Sequence, residues 1–234
     1  MDSIDTFING GKVSAIYKNG QEVNLIYKNG TKGYQKQRKE YFLTSSGKQY
    51  INTGIKPENG TILVIKARGV SLNYYSSIFG TSGLDNKQRF STMSSSDGTG
   101  MRFDYGSQWG MPYLTSAPFL ATMPYEIVKA NEFNYFSNQP VSTNNPAVFD
   151  SEKTTPIFLF ACHEDGKATS MASMELYYCK ISKNSGMVFD AIAVPAGKPV
   201  EGKVAPQNCL YDKISKTFFL NQGTGSFGIG ERNI

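Results

Sequence analysis

The strongest constraint on the fold is a long succession of short segments with β-strand character, separated by turn signals. These segments lie at residues 41–53, 61–68, 74–80, 88–93, 100–105, 125–128, 132–136, 147–149, 157–161, 173–181, 188–194 and 216–220. Ser-Gly, Asn-Gly, Asp-Gly and Thr-Gly pairs and prolines recur between them, and no window combines a helical period with capping residues. Many short strands with closely spaced turns are typical of an all-β sandwich or barrel.

The composition agrees with this prediction. The chain has 14 tyrosines and 15 phenylalanines, which suit the pleated and half-buried surface of a sheet. Its 23 glycines supply residues for tight turns. Apolar residues make up 39% of the chain and charged residues 18%, which is the composition of a folded domain rather than a disordered one.

A tandem repeat lies near the N-terminus. Residues 15–20 (AIYKNG) are echoed by residues 25–30 (LIYKNG), and each unit ends in Asn-Gly, which tolerates the positive φ angles of a type I′ turn. We therefore predict a β-meander of two or three strands over residues 12–34. Such a small sheet is marginal alone, so it needs a partner: the main domain, a sister chain or another protein. The residues assigned to this docking arm are Ile16, Tyr17, Asn19, Gly20, Ile26, Tyr27, Asn29 and Gly30.

The character of the sequence changes after the arm, so we place the arm and its linker at residues 1–38 and one larger domain at residues 39–234. The net charge is +5, but the basic residues are dispersed apart from the run Lys36-Gln37-Arg38-Lys39. A nucleic-acid footprint needs basic residues clustered over one face. We interpret the run as a solvated linker and expect no nucleic-acid partner.

The N-terminal segment lacks the apolar core of a secretory signal, and no apolar run approaches the roughly 20 residues that cross a bilayer. We therefore expect synthesis in a cytoplasm, no membrane insertion, and exposure outside the cell only by release with a particle. Cys162, Cys179 and Cys209 are far apart and form no CxxC pair, so no zinc site is expected.

Six segments of the main domain carry a resemblance to a known family. They are EYFLTSSGKQYINTGIKP (40–57), SSIFGTSG (76–83), MRFDYG (101–106), IFLFACHEDG (157–166), MELYYCKISKNSGMVFDAIAV (174–194) and CLYDKISKTFFLNQGTGSFGIGE (209–231). In order and spacing they resemble the concanavalin A-like lectin/glucanase fold in its laminin-G-like form, as it occurs in bacteriophage structural proteins and gut-bacterial surface proteins. The resemblance implies a two-sheet antiparallel jelly-roll sandwich over residues 39–234.

The N-terminal repeat is similar to short tandem strands at the ends of phage baseplate and fibre proteins. Together the two resemblances imply a virion component that is assembled in the host cytoplasm. They also imply attachment to other virion proteins through the arm and self-association, with a trimer as the form found in many fibres.

Catalytic groups are scarce in the sequence. The sole histidine, His163, follows Cys162, but neighbouring residues of a strand point to opposite faces, so the pair is not expected to act together. Glucanases of the resembling fold carry an E-x-D-x-E arrangement that places two glutamates on one face of a strand. This sequence has no such motif, because Glu164 and Asp165 are adjacent and Glu175 stands alone. We predict no enzymatic activity.

Sugar binding fits the sequence better. Lectin sites combine an aromatic face with a few polar groups that orient the hydroxyls of the sugar. The candidate residues of this type are Asp104, Tyr105, Gln108, Trp109 and Tyr113. The alternative role for Trp109 and Tyr113 is to fill a core or an interface. Asp97 and Asp104 are the candidate ligands for calcium, but no D-x-D-x-D cluster supports a site, so no cofactor is predicted.

The sequence thus favours a phage virion structural protein, as a fibre, decoration or baseplate component. In this hypothesis the lectin-like domain attaches to a host-surface glycan. Two alternatives stay open: a purely structural virion subunit that binds no sugar, and a bacterial surface carbohydrate-binding module.

Overall fold

The computed structural model describes residues 16–18, 21–28, 31–36, 39–71, 75–84, 88–106, 113–114, 118–130, 134–141 and 149–234. Over these residues the chain is all-β, and the only helical element among them is a short 3₁₀ turn at Ser151–Lys153. The predicted all-β, antiparallel fold class is therefore confirmed.

The strands up to residue 106 are β1 (Ile16–Lys18), β2 (Gln21–Lys28), β3 (Thr31–Lys36), β4 (Lys39–Thr44), β5 (Ile51–Asn52), β6 (Ile62–Ser71), β7 (Ser77–Gly83), β8 (Arg89–Ser94) and β9 (Met101–Gly106). Those up to residue 169 are β10 (Tyr113–Leu114), β11 (Tyr125–Lys129), β12 (Asn134–Phe136), β13 (Gln139–Val141), β14 (Phe158–Leu159), β15 (Cys162–Glu164) and β16 (Lys167–Thr169). The last are β17 (Ser173–Lys183), β18 (Gly186–Val194), β19 (Pro199–Val200), β20 (Lys203–Val204), β21 (Cys209–Asp212), β22 (Thr217–Phe219) and β23 (Gly228–Asn233).

Two large sheets contain most of these strands. The larger sheet has the order β13-β12-β11-β6-β17-β18-β21-β22, and β4 joins it between β17 and β23. The smaller sheet has the order β10-β9-β8-β7-β14-β5, with β15 paired to β7 and β16 to β15. The β15–β7 pairing is parallel, whereas the strands along the two main paths pair antiparallel. The jelly-roll connectivity of the two sheets stays a prediction.

One hydrophobic core joins the two sheets face to face. The larger sheet contributes Leu63, Ile65 and Leu176 to it, and the smaller sheet contributes Phe79 and Phe103, all fully buried. Each buried side chain of this size stabilises the fold by about 2 kcal/mol relative to exposure. The sheets therefore form a sandwich whose interior is closed by large apolar side chains.

The alternation of β9 shows how the sequence determines the two faces. Met101, Phe103 and Tyr105 belong to the core, and Arg102 and Asp104 alternate with them along the strand. Since successive side chains of a strand point to opposite faces, Arg102 and Asp104 lie on the outer face of the smaller sheet. The strand that the sequence predicts over residues 100–105 is confirmed.

The N-terminal repeat forms a three-stranded antiparallel sheet of β1, β2 and β3, which confirms the predicted meander. Lys18 pairs with Gln21 and Lys28 pairs with Thr31, so two residues connect each pair of strands, as in the shortest hairpins. The four connecting residues of the docking arm, Asn19, Gly20, Asn29 and Gly30, lie outside the described residues. The chain divides into two compact units, one of Met1–Glu40 with Glu231–Ile234 and a larger one of Tyr41–Gly230.

Candidate functional site

The structure separates two of the predicted sugar-binding residues. Tyr105 points into the sandwich, where only 6% of it is exposed and its ring packs on those of Phe90 and Phe149, with centroids 6.1 and 5.0 Å away. Its hydroxyl lies 3.4 Å from Asn59 Oδ1. Asp104 lies on the opposite face of the same strand. A ligand on the outer face would therefore lie on the side of Asp104 and not on that of Tyr105.

The other three predicted residues follow β9 along the chain. Gln108 and Trp109 lie outside the described residues, in the connection between β9 and β10. Tyr113 is the first residue of β10 and the register partner of Arg102. Because β10 pairs back onto β9, the connection that carries Gln108 and Trp109 starts after Gly106, the register partner of Arg89, and ends at Tyr113, beside Arg102.

Asp104 is the centre of a charged group on the outer face of the smaller sheet. We call this group, made of Arg89, Ser91, Arg102, Asp104 and Glu164, the Asp104 cluster. Ser91 Oγ donates a hydrogen bond of 3.0 Å to Asp104 Oδ2, and Arg102 Nε lies 3.3 Å from the same oxygen. Asp104 is only 1% exposed, so its charge is held by these neighbours rather than by water.

Arg89 and Glu164 complete the cluster from β8 and β15. Burial lowers the pKa of Arg89, and the negative charges of Asp104 and Glu164 oppose that shift. The Glu164 carboxylate also accepts a hydrogen bond of 2.8 Å from Thr169 Oγ1. Two guanidinium groups therefore face two carboxylates, and the cluster carries both donors and acceptors at no net charge.

The floor of the cluster is closely packed. Gly80 of β7 faces Ser91 across the sheet, and a Cβ atom at Gly80 would lie 3.2 Å from Cys162 Sγ and 2.5 Å from Ser91 Cβ. Burial raises the pKa of the Cys162 thiol well above its usual value, and the carboxylates of the cluster raise it further. Cys162 is therefore a protonated thiol that fills space, without the thiolate that a nucleophile requires.

Arg102 forms the upper edge of the cluster. Its guanidinium carbon lies 5.0 Å from the ring centroid of Tyr75, a cation–π distance. Its side chain is 15% exposed, which makes it more open than Asp104 beneath it. A planar guanidinium in this position can donate paired hydrogen bonds to a carboxylate or to neighbouring hydroxyl groups.

His163 and Cys162 do not act together in the described structure. The His163 ring stacks on Phe158 with centroids 4.1 Å apart, and its Nδ1 lies 3.0 Å from the Pro156 carbonyl oxygen. Cys162 Sγ instead lies against Gly80, as described above. Each side chain thus has a packing role of its own, as expected from their adjacent positions on a strand.

Asp97, the second candidate calcium ligand, caps its own loop. Its carboxylate accepts hydrogen bonds from the Ser95 hydroxyl and from the backbone and hydroxyl of Thr99. These bonds, that of Ser95 foremost, lower the pKa of Asp97 to about 2. Over the ranges that the structure describes, no three His, Cys, Asp or Glu residues gather in a way that could hold a metal ion.

Two buried polar residues of the larger sheet were not singled out by the sequence analysis. Lys129 points inward from β11 and is 1% exposed, and Asn134 is its register partner on β12. Lys129 Nζ lies 5.0 Å from the ring centroid of Tyr105 and 5.6 Å from that of Phe90. The two-residue period of the strand was an available signal, since Lys129 lies on the same face as the apolar residues Tyr125 and Ile127.

Another buried polar residue of the larger sheet is Glu175 of β17, which has charged and hydroxyl neighbours. Arg68 binds its carboxylate through both Nε and Nη2, and Tyr177 donates to it from 2.8 Å. These partners satisfy a carboxylate whose residue is 6% exposed. Glu175 is thereby bound within the fold rather than poised as an acid or a base.

No helix within the described part of the chain is long and apolar enough to span a membrane. No protein-family model matches the chain, and comparison with curated proteins finds no significant match. The resemblance to lectin-like phage domains therefore stays a prediction, and the site must be interpreted from its own geometry.

Proposed function

We propose that this protein is a non-enzymatic virion component whose larger unit binds a host-surface glycan at the β9–β10 edge of the smaller sheet. One observation carries the proposal: the connection that contains Gln108 and Trp109 begins and ends beside the Asp104 cluster. An aromatic side chain and paired charged groups at one edge are the combination that recognises a sugar. Arg102 orients its hydroxyls, Asp104 holds the guanidinium of Arg102 from below, and Trp109 supplies the apolar surface.

The chemistry of the other candidate groups supports binding rather than catalysis. The Cys162 thiol is held in its protonated form, and the His163 ring is stacked and hydrogen-bonded within the fold. Glu175 is bound by Arg68 and Tyr177. The buried thiol lacks the thiolate that a nucleophile needs, and the side chains of His163 and Glu175 are engaged by other groups of the fold.

A glycan-binding measurement tests the proposal. The purified protein is screened against immobilised bacterial surface polysaccharides, and the Kd of the best ligand is measured by calorimetry. Arg102→Ala and Trp109→Ala should each weaken binding at least about tenfold, because aromatic and arginine side chains dominate such contacts. Lys180→Ala is the matched control, since it removes a cation from the larger sheet and should leave Kd unchanged.

A second candidate function is a purely structural subunit, and the burial of the Asp104 cluster favours it. Arg89 and Asp104 are 7% and 1% exposed. Such burial also suits a cluster of charged groups whose only role is to stabilise the fold. The absence of binding to every polysaccharide in the screen would support the purely structural function. Equal binding by the wild type and both site variants would place the ligand elsewhere on the molecule.

The arm is proposed to attach the protein to the particle. Deletion of residues 2–36, which removes β1, β2 and β3, should abolish incorporation into particles, because it removes the small sheet that needs a partner to cover it. Incorporation is measured by mass spectrometry of purified particles. The deleted protein should still bind the glycan with unchanged Kd, and normal incorporation would contradict the docking role.

A further inference from the structure

The interior of the sandwich holds an amine that has no anionic partner among the described residues. Lys129 Nζ makes one long hydrogen bond, 3.4 Å to the carbonyl oxygen of the adjacent Ala130. Its other neighbours are the ring faces of Phe90 and Tyr105, which stabilise a cation only in part. A full charge at this position is therefore poorly compensated.

The strands around Lys129 bring few titratable side chains close to its amine. From β9, Tyr105 faces it directly, and burial raises the pKa of Tyr105 to about 12, so its phenol stays neutral under acidic and neutral conditions. Asp104, also on β9, acts from the outer side of that strand. The neighbours Phe90 of β8, Leu63 of β6 and Asn134 of β12 do not titrate. Burial lowers the pKa of Lys129 to about 7, and the Asp104 charge opposes the shift more weakly.

The strand beside Lys129 has a second uncompensated group. Asn134 is 1% exposed, and neither its Nδ2 nor its Oδ1 has a hydrogen-bond partner in the described part of the chain. A buried polar group without hydrogen-bond partners destabilises the folded state. Since Lys129 pairs with Asn134 in register, both groups weaken the same piece of sheet.

That piece also forms one end of the larger sheet. The segment from β11 to β13 forms one end of the sheet, and among the described strands β6 is the one that joins it to the rest of the sheet. β12 and β13 have three residues each and pair with each other through the register Asn134↔Val141 to Phe136↔Gln139. Short terminal strands open at a lower free energy than central strands.

We propose that the β11–β13 edge is an acid-sensitive element, which opens from the sandwich when Lys129 takes up a proton while the central strands stay folded. The open edge hydrates the ammonium group and the Asn134 amide together. It also exposes Phe136 and Val141, which are otherwise buried against the core. The proposal does not depend on glycan binding.

Hydrogen exchange measured by mass spectrometry tests this device. Exchange is followed at about pH 8 and about pH 5.5 and corrected for the intrinsic effect of pH. Peptides that cover residues 125–141 should exchange about tenfold faster at about pH 5.5 than at about pH 8. This is the change expected when the pKa of one buried amine is about 7 in the closed edge and about 10.5 in the open edge. Peptides that cover β17 and β18 should keep their protection.

Lys129→Met should remove the acid effect in residues 125–141, whereas Lys180→Met, a change on the outer face of β17, should preserve it. Protection that is independent of pH in the wild type would overturn the proposal, as would an unchanged acid effect in Lys129→Met. Titration of the Lys129 ¹³Cε signal by NMR in the wild type covers the case in which the variant does not fold. A titration midpoint near pH 7 supports the acid-sensitive opening of the edge, and a midpoint near the ordinary value of 10.5 overturns it.

Discussion

Replacement of Asp212 by alanine is expected to lower the free energy of unfolding by about 3 kcal/mol, because a buried carboxylate would be lost from several backbone donors at once. Asp212 ends β21 and is 1% exposed. Its two oxygens accept hydrogen bonds from the backbone N–H groups of Asp190, Ile214 and Ser215 at 2.7, 3.3 and 2.9 Å. The residue therefore forms the turn to β22 and also ties that turn to β18.

The loss is measured by urea unfolding at neutral pH, with Asp212→Asn as the control. Asparagine keeps one acceptor oxygen and the same shape, so its effect should be smaller than that of alanine. Equal stability of the wild type and Asp212→Ala would show that the turn forms without the carboxylate.

The pH dependence of this effect has a defined sign. Burial tends to raise the pKa of Asp212, but the hydrogen bonds that the carboxylate accepts from Ser215, Asp190 and Ile214 outweigh burial and lower it below 3.8. A carboxylate with a lowered folded-state pKa stabilises the fold above its unfolded value and loses that contribution as the pH falls. The difference between wild type and Asp212→Ala should therefore shrink below about pH 4.

The hairpin that Asp212 supports was visible in the sequence. Leu210-Tyr211-Asp212 and the later run Phe218-Phe219-Leu220 predict two strands joined by Lys213–Lys216, and the structure pairs Leu210 with Phe219 and Asp212 with Thr217. Local alternation and turn residues suffice for such a prediction, because both strands lie within a dozen residues of each other. The same holds for the Asn-Gly hairpins of the arm.

The Asp104 cluster was only partly predictable. Its members come from β8, β9 and β15, and the electrostatic interaction of Glu164 with Arg89 depends on the parallel pairing of β15 with β7. No local pattern predicts that pairing, since it joins segments about 80 residues apart. Asp104 could be identified as polar and strand-borne, whereas its charged neighbours could not.

The predicted grouping of Tyr105 with Asp104 in one binding site failed for a local reason. It took residues that are close in sequence as members of one sugar-binding site, although the alternation of the strand places Asp104 and Tyr105 on opposite faces. The inward position of Lys129 could be predicted from the same alternation of side chains along a strand. Its lack of an anionic partner could not, because that depends on which rings of the facing sheet it meets.

Replacement of Lys129 by methionine should raise the free energy of unfolding at neutral pH by several kcal/mol. Methionine keeps the length of the side chain and suits a site lined by Phe90 and Tyr105. The wild type is destabilised because its amine has a pKa of about 7 when folded and about 10.5 when unfolded. That difference corresponds to an upper limit of about 5 kcal/mol, which opening of the β11–β13 edge reduces.

The sign of the pH dependence follows from proton binding. Between about pH 7 and 10.5 the unfolded chain keeps a proton on Lys129 that the folded chain has lost, so the stability of the wild type rises with pH in this window. Lys129→Met lacks this term, and its advantage should be largest at or below pH 7 and should decrease towards pH 10.5. Urea unfolding across this range measures both curves. Parallel curves would mean that Lys129 is charged in the folded protein, which would require an anionic partner or water in the interior.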